Sequence, residues 1–117
     1  MRMPVLAAAL AASLLAAPAF AHHGWSGQDN AHVTTLEGPI EAVRYRDPHA
    51  EIDLMDHGQK WTITLAPTER LGSRGVTEAA LKVGETVKIN GHRNLDMKRY
   101  EVKANDITIG GKTTNLR

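Results

Sequence analysis

Apolar and polar residues alternate with a period of two over much of the chain, which is the pattern of β-strands. The clearest case is KWTITLA at residues 60–66, in which Trp61, Ile63 and Leu65 are separated by single threonines. Such a strand turns one face to a core and the other to solvent. Similar stretches upstream are divided by Gly-Pro, Asp-Pro and Asp-His-Gly-Gln turn signals. We predict strands at about residues 33–46, 49–55 and 60–66.

The strand pattern stops after residue 66 and resumes near residue 85. In between, Pro67 can start a helix, residues 77–82 predict a short helical turn with a capping residue, and Gly84 ends it. Alternation then returns in residues 85–93 and 99–109, which predicts a fourth and a fifth strand joined by a hairpin.

Two of these strands change the phase of their alternation. In the first strand, the apolar residues up to Ile40 fit one phase and those from Val43 onward fit the other. We expect a bulge or bend there, at residues 38–39 or 41–42, because one extra residue shifts the pattern to the opposite face. The fifth strand shifts in the same way near Asn105.

Three strands, a short helical connection and two strands are the element order of an OB-fold, a five-stranded Greek-key barrel. We therefore predict a small all-β, OB-like barrel at residues 33–110, with an antiparallel sandwich as the competing architecture. Residues 22–32, rich in Gly, Ser, Asp and Asn, predict a flexible, irregular N-terminal arm. Residues 111–117 predict a C-terminal tail that frays, because the sequence after Ile109 shows no core signal.

The first 21 residues have the composition of a secretory signal peptide. They contain Arg2, an Ala/Leu run and the small-x-small triplet Ala19-Phe20-Ala21. The apolar run is shorter than the ~20 residues that span a bilayer as a helix. We expect cleavage after Ala21 and a periplasmic or secreted protein without a transmembrane segment. Cleavage removes Arg2, one of the 14 basic residues, so the mature chain has 13 basic and 13 acidic residues and no net charge.

Composition argues against several classes of protein. The chain has no cysteine, which excludes disulfides and thiolate metal sites. Few aromatic residues and a balanced charge argue against a nucleic-acid-binding protein. The sequence shows no nucleophile motif, no Gly-rich phosphate loop and no HExxH, so we do not expect an enzyme.

Three motifs follow one another in a recognisable order: HHGW at residues 22–25, TLEG at 35–38 and DPH at 47–49. In this respect the chain resembles a family of small secreted bacterial proteins of unknown function, over essentially its whole length after the signal. The resemblance implies a fold and a compartment but no established activity. The chain departs from the commoner Asn-Pro-His by having Asp47.

The histidines suggest a metal site. After cleavage at Ala21, His22 would offer its α-amine and imidazole to one ion, and His23 would add a second imidazole. Imidazole suits copper(II), nickel and zinc, and copper binds most tightly of these. His49, which follows Pro48 at the start of the second strand, and His92, expected to point outward on the fourth, could complete the site. Met55 and Met97 are further candidates for copper(I). We expect His32 and His57 to be exposed loop residues.

The second hypothesis is a periplasmic adaptor module that binds a small polar ligand or a protein without metal. OB-type barrels bind through the face of their second and third strands. The polar residues that we expect on this face are Arg44, Arg46, His49, Glu51, Lys60, Thr62 and Thr64.

Overall fold

The computed structural model describes residues 27–117, and these form a closed all-β barrel with one short helix. The strands are β1 (Thr34–Arg44), β2 (Glu51–Asp56), β3 (Gln59–Thr64), β4 (Thr86–Arg93), β5 (Glu101–Ile109) and β6 (Lys112–Asn115). The sheet order is β3-β2-β1-β4-β5-β6, and a parallel pairing of β3 with β5 closes a five-stranded ring. This confirms the OB-like barrel rather than the sandwich.

Both predicted phase shifts are β-bulges. In β1, Ile40 pairs with Leu54 and Ala42 with Asp53, so Glu41 is the extra residue. In β5, the register against β4 skips Asn105. Each bulge turns the following apolar residues back to the interior, where residues such as Ile52, Ile63 and Ile107 form one buried core.

The connection between β3 and β4 contains α1 (Thr68–Ser73) and a 3-10 turn at Glu78–Ala80. Leu71 of α1 is fully buried and belongs to the apolar core. The hydroxyl of Tyr45, just beyond β1, donates a hydrogen bond to the carbonyl of Val76 at 2.8 Å. This contact ties the helical connection to the strand that it crosses.

The C-terminal residues differ from the prediction of a fraying tail. They form β6, which pairs with β5, and Leu116 is only 1% exposed. The amide of Leu116 donates to the carbonyl of the bulge residue Asn105 at 2.8 Å. One apolar residue after a polar turn leaves no periodic signal, which is why the sequence pattern missed it.

Residues 27–32 of the predicted arm are attached to the barrel. Gln28 forms a β-bridge with Asn94, the amide of Asp29 donates to the carbonyl of Arg93 at 2.8 Å, and the carbonyl of Gly27 accepts from the amide of Leu95 at 3.0 Å. The position at which the preceding chain joins the barrel is therefore fixed beside the β4–β5 hairpin. The predicted signal peptide and residues 22–26 lie outside the described residues.

Candidate functional site

His49 lies where several surface concavities meet. Its neighbour Ala50 pairs with the end of β3, donating its amide to Ala66 and accepting from Leu65. The parallel β3–β5 pairing ends at Thr64 and Lys103, so the barrel surface opens beside these strands. His49 lines concavities on both sides of this opening.

The larger concavity, which we call the arm groove, has a volume of about 620 Å³. It lies between the N-terminal arm, the β4–β5 hairpin and the closing pair of strands. Its lining includes Gly27, Gln28, His49, Asn94, Arg99 and Glu101. The first described residue of the chain and His49 thus line the same groove.

The second concavity, which we call the cationic basin, has a volume of about 310 Å³. Four buried apolar residues contribute to its lining: Leu65, Ala66, Ala104 and Leu116. Its polar lining comprises His49, Arg70, Lys103 and Arg117. Of the described residues that line the basin, none is an aspartate or glutamate.

Asp47 fixes the loop that carries His49. Its carboxylate accepts hydrogen bonds from the amide of Thr68 at 2.9 Å and from the Thr68 hydroxyl at 2.9 and 3.0 Å. The hydrogen bond from the Thr68 amide lowers the pKa of Asp47 most, and the hydrogen bond from the Thr68 hydroxyl lowers it further. Asp47 therefore satisfies the first amide of α1, and this contact holds the loop before His49 against the helix.

The surroundings of His49 keep its ring neutral. Burial lowers the pKa of His49 below its ordinary value of 6.5, and the positive charges of Lys103 and Arg70 lower it further. A neutral imidazole at pH 7 has one ring nitrogen able to accept a proton, a hydrogen bond or a metal ion. Burial also lowers the pKa of Lys103, and the charges of Arg117 and Arg70 act in the same direction.

Residues 9–105 match the model of a family of unknown function, DUF6152. The chain belongs to this family. No curated protein matches the chain. The family assignment agrees with the resemblance found in the short motifs and brings no activity with it. In this DUF6152 chain, none of the helices among residues 27–117 is long and apolar enough to cross a membrane.

His92 of the DUF6152 chain does not point into solvent, contrary to the prediction, because the arm covers it and leaves it 6% exposed. Its Nδ1 lies 3.0 Å from the carbonyl of Asp29 and 2.8 Å from that of His32, which makes it the donor. Its Nε2 accepts from the side-chain amide of Asn105 at 3.1 Å. Both nitrogens thus fasten the arm to the β5 bulge.

The remaining predicted ligands are scattered. His22 and His23 lie outside the described residues. Met97 is 63% exposed on the β4–β5 hairpin, and Met55 is half-buried on β2. His32 and His57 are exposed, as expected. Within residues 27–117 no three His, Asp or Glu side chains converge to hold a metal ion.

The polar face of β1, β2 and β3, which we call the outer face, is a network of ion pairs. The guanidinium of Arg44 donates to both carboxylate oxygens of Asp53, at 2.7 and 3.1 Å, and lies 3.5 Å from Glu51. Lys60 and Thr62 also approach Asp53, at 4.0 and 3.4 Å. These charges satisfy one another at the surface of the barrel.

Sequence patterns did not identify the cations of the basin. Arg70 lies on α1, Lys103 on β5 and Arg117 beyond β6, so no local motif joins them. The available signal was the alternation of Lys103 with Val102 and Ala104, which places it on the outside of β5. It does not show which other elements lie beside it.

Proposed function

We propose that this DUF6152 chain is a periplasmic binding module, and that it binds a transition metal, copper(II) first, through His22, His23 and His49. The observation that carries the proposal is the shared lining of the arm groove. Gly27, where the described arm begins, and His49 face the same space. His22 and His23 precede Gly27 by only a few residues in the sequence.

The covalent reach of the chain limits how far His22 and His23 can lie from the arm groove. His23 precedes Gly27 by four residues, and an extended chain spans at most ~3.6 Å per residue, or about 14 Å in all. The hydrogen bonds of Gly27, Gln28 and Asp29 fix the point from which that reach is measured. This reach, measured from one residue that lines the arm groove, supports a site shared with His49, which lines the same groove.

The donor chemistry also suits copper(II). If Ala21 is the last residue removed, His22 presents an α-amine and an imidazole, and His23 adds another imidazole. The neutral ring of His49 supplies a further nitrogen without first losing a proton. Nitrogen donors of this kind favour copper(II) among the divalent ions. The positive charges of Lys103 and Arg70 oppose a cation close to His49, so the N-terminal donors must supply most of the affinity.

A copper(II) titration followed by calorimetry tests the site. We compare the protein beginning at His22 with one extended by a single alanine, and each with its His49→Gln variant. The extension converts the α-amine of His22 into an amide and should weaken binding about tenfold or more. His49→Gln should weaken copper binding less than the extension does. His57→Gln changes an exposed histidine in the turn between β2 and β3 and should leave copper binding unchanged. Equal affinity of the extended and unextended proteins would exclude the proposed chelate.

The alternative is an adaptor that binds a protein through the outer face without metal. The side chains of Arg46 and Lys60 are 68% and 62% exposed at the edge of the ion-pair network. They could meet a partner while Arg44 and Asp53 stay paired. The double variant Arg46→Glu/Lys60→Glu should then abolish retention of a partner in a periplasmic pull-down, and unchanged retention would count against the adaptor.

A further inference from the structure

We propose that the β4–β5 hairpin carries a docking surface for the chain's own Trp25, whose indole packs on the exposed side chains of Leu95 and Met97. Trp25 belongs to residues 22–26, which lie outside the described residues. The inference concerns how the arm is held on the barrel, and it is independent of copper binding in the arm groove.

Exposed apolar side chains are concentrated on the β4–β5 hairpin. Among residues 27–117, five large apolar side chains are exposed, and three of them, Leu95, Met97 and Tyr100, belong to this hairpin. Their exposed fractions are 61%, 63% and 43%. Apolar residues exposed singly are common on soluble proteins, whereas a group of them marks a surface on which another group packs.

The backbone of the hairpin is held in place by its own contacts. The guanidinium of Arg93 donates a hydrogen bond to the carbonyl of Met97 at 2.7 Å, and its central carbon lies 5.3 Å from the ring centre of Tyr100. Within the turn, the amide of Asp96 donates to the side-chain oxygen of Asn94 at 2.8 Å. A surface that is already ordered loses little conformational freedom when another group packs on it.

The described part of the arm begins beside this surface. The carbonyl of Gly27 accepts a hydrogen bond from the amide of Leu95 at 3.0 Å, and Gln28 forms a β-bridge with Asn94. Trp25 precedes Gly27 by two residues, so the Cα atoms of the two lie within about 7 Å of each other. A Cβ atom built on Gly27 would meet no atom of the described residues within 4 Å, so a bulky neighbour has room on this side of the arm.

Trp25 is the arm residue whose chemistry suits this surface. The other residues of 22–32 are small or polar, so Trp25 is the one large apolar side chain in this stretch of sequence. An indole ring buries a large apolar area and makes favourable contacts with a thioether sulfur such as that of Met97. Packing of Trp25 on the hairpin would cover Leu95 and Met97 and would fasten the arm one step before Gly27.

Methyl NMR tests the docking directly, because residues 22–117 contain only two methionines, Met55 and Met97. The sample is the protein beginning at His22, carbon-13-labelled at the methionine methyl groups and kept free of metal with EDTA. The Met97 methyl should show an NOE to the indole of Trp25 and a ring-current shift, and both should be lost in Trp25→Ala. Met55 on β2 is the internal control, and its signal should be the same in both proteins.

Acrylamide quenching of tryptophan fluorescence tests the same contact from the side of the arm. Leu95→Ser/Met97→Ser should increase the quenching of Trp25, whereas Val83→Ser, at an apolar residue exposed before β4, should not. Thermal unfolding verifies that both variants fold. An unchanged Met97 signal in Trp25→Ala, or unchanged quenching in the double variant, would overturn the proposal. A Met97 signal that moves on dilution as a dimer dissociates in sedimentation would also overturn it, because a second copy would then cover the hairpin.

Discussion

The outer face and the cationic basin both gather charged side chains on the barrel surface, and they arrange them differently. On the outer face, Arg44 lies between Asp53 and Glu51, so each charge has an opposite charge within 4 Å. In the basin, burial lowers the pKa of Lys103, and the positive charges of Arg117 and Arg70 lower it further. The outer face combines both signs of charge, whereas the charged side chains that line the basin are all cationic.

This difference predicts unequal contributions of the two regions to the stability of the fold. Opposite charges that satisfy one another within the fold leave little electrostatic energy for a ligand, and removing only one of them leaves the other unpaired at a cost in stability. In the basin, burial and like charges disfavour the protonated form of Lys103, so its charge contributes little to the stability of the fold. Stability measurements should therefore be more sensitive to the outer face than to the basin.

The largest expected effect comes from Asp53→Ala on the outer face. Asp53 and Arg44 have side-chain exposures of 11% and 29%, so the variant leaves a half-buried guanidinium without its main acceptor. We expect the free energy of unfolding in urea to fall by about 1–3 kcal/mol. The double variant Arg44→Met/Asp53→Leu should recover most of this loss, because it removes both charges together. Arg46→Ala, at an exposed residue, is the control. If it lowered the free energy of unfolding as much, the pairing of Arg44 with Asp53 would not explain the effect of Asp53→Ala.

Acidic pH should produce the next largest effect. Hydrogen bonds from Arg44 lower the pKa of Asp53 in the folded protein. Its contribution to stability is therefore complete above the unfolded pKa of about 3.9 and is lost as the pH falls through the lower, folded value. Urea midpoints should be similar at pH 7 and pH 5 and should drop between about pH 4 and pH 2. If the urea midpoint of Arg44→Met/Asp53→Leu dropped by the same amount over this pH range, carboxylates other than Asp53 would be responsible.

The sequence predicted the barrel because its local patterns agree with its tertiary structure. Ile63 and its neighbours alternate cleanly, and the phase shifts at Glu41 and Asn105 correspond to real bulges. His92 does point away from the barrel interior, as alternation requires. Its burial comes from the arm, which lies about 60 residues away in the sequence. The periodicity of apolar residues along a strand carries no information about such a distant contact.

The sites were harder to predict for the same reason. His49 could be selected from the Asp-Pro-His motif, and the structure places it beside two concavities. The cations next to it come from α1, β5 and the C-terminal residues, and only the closed barrel brings them together. Leu116 was missed because a single apolar residue has no periodicity.

A smaller effect of opposite sign is expected in the basin. Lys103→Met removes a charge that is partly buried among other cations and retains the aliphatic stem. Because the folded pKa of Lys103 is lowered, its protonated form favours the unfolded chain, so the variant should be slightly more stable at pH 7, by an amount that solvent screening keeps small. Urea denaturation measures the change. A loss comparable to that of Asp53→Ala would make Lys103 a structural residue and remove the contrast between the two regions.

The smallest effect is expected at the turn between β2 and β3, where His57 contacts Asp56. The side chain of His57 is 94% exposed, whereas Asp56 is buried and also accepts from the amide of Glu37 at 2.8 Å. The hydrogen bond to Asp56 raises the pKa of His57, so any stabilisation is complete below its ordinary value of 6.5 and is lost as the pH rises through the folded value. His57→Gln should therefore lower the urea midpoint slightly at pH 5 and not at pH 9. Asp56→Asn should cost more at both pH values, because it also weakens the hydrogen bond from the amide of Glu37 in β1. If the two variants cost the same, exposure does not determine how much a side chain of this turn contributes to stability.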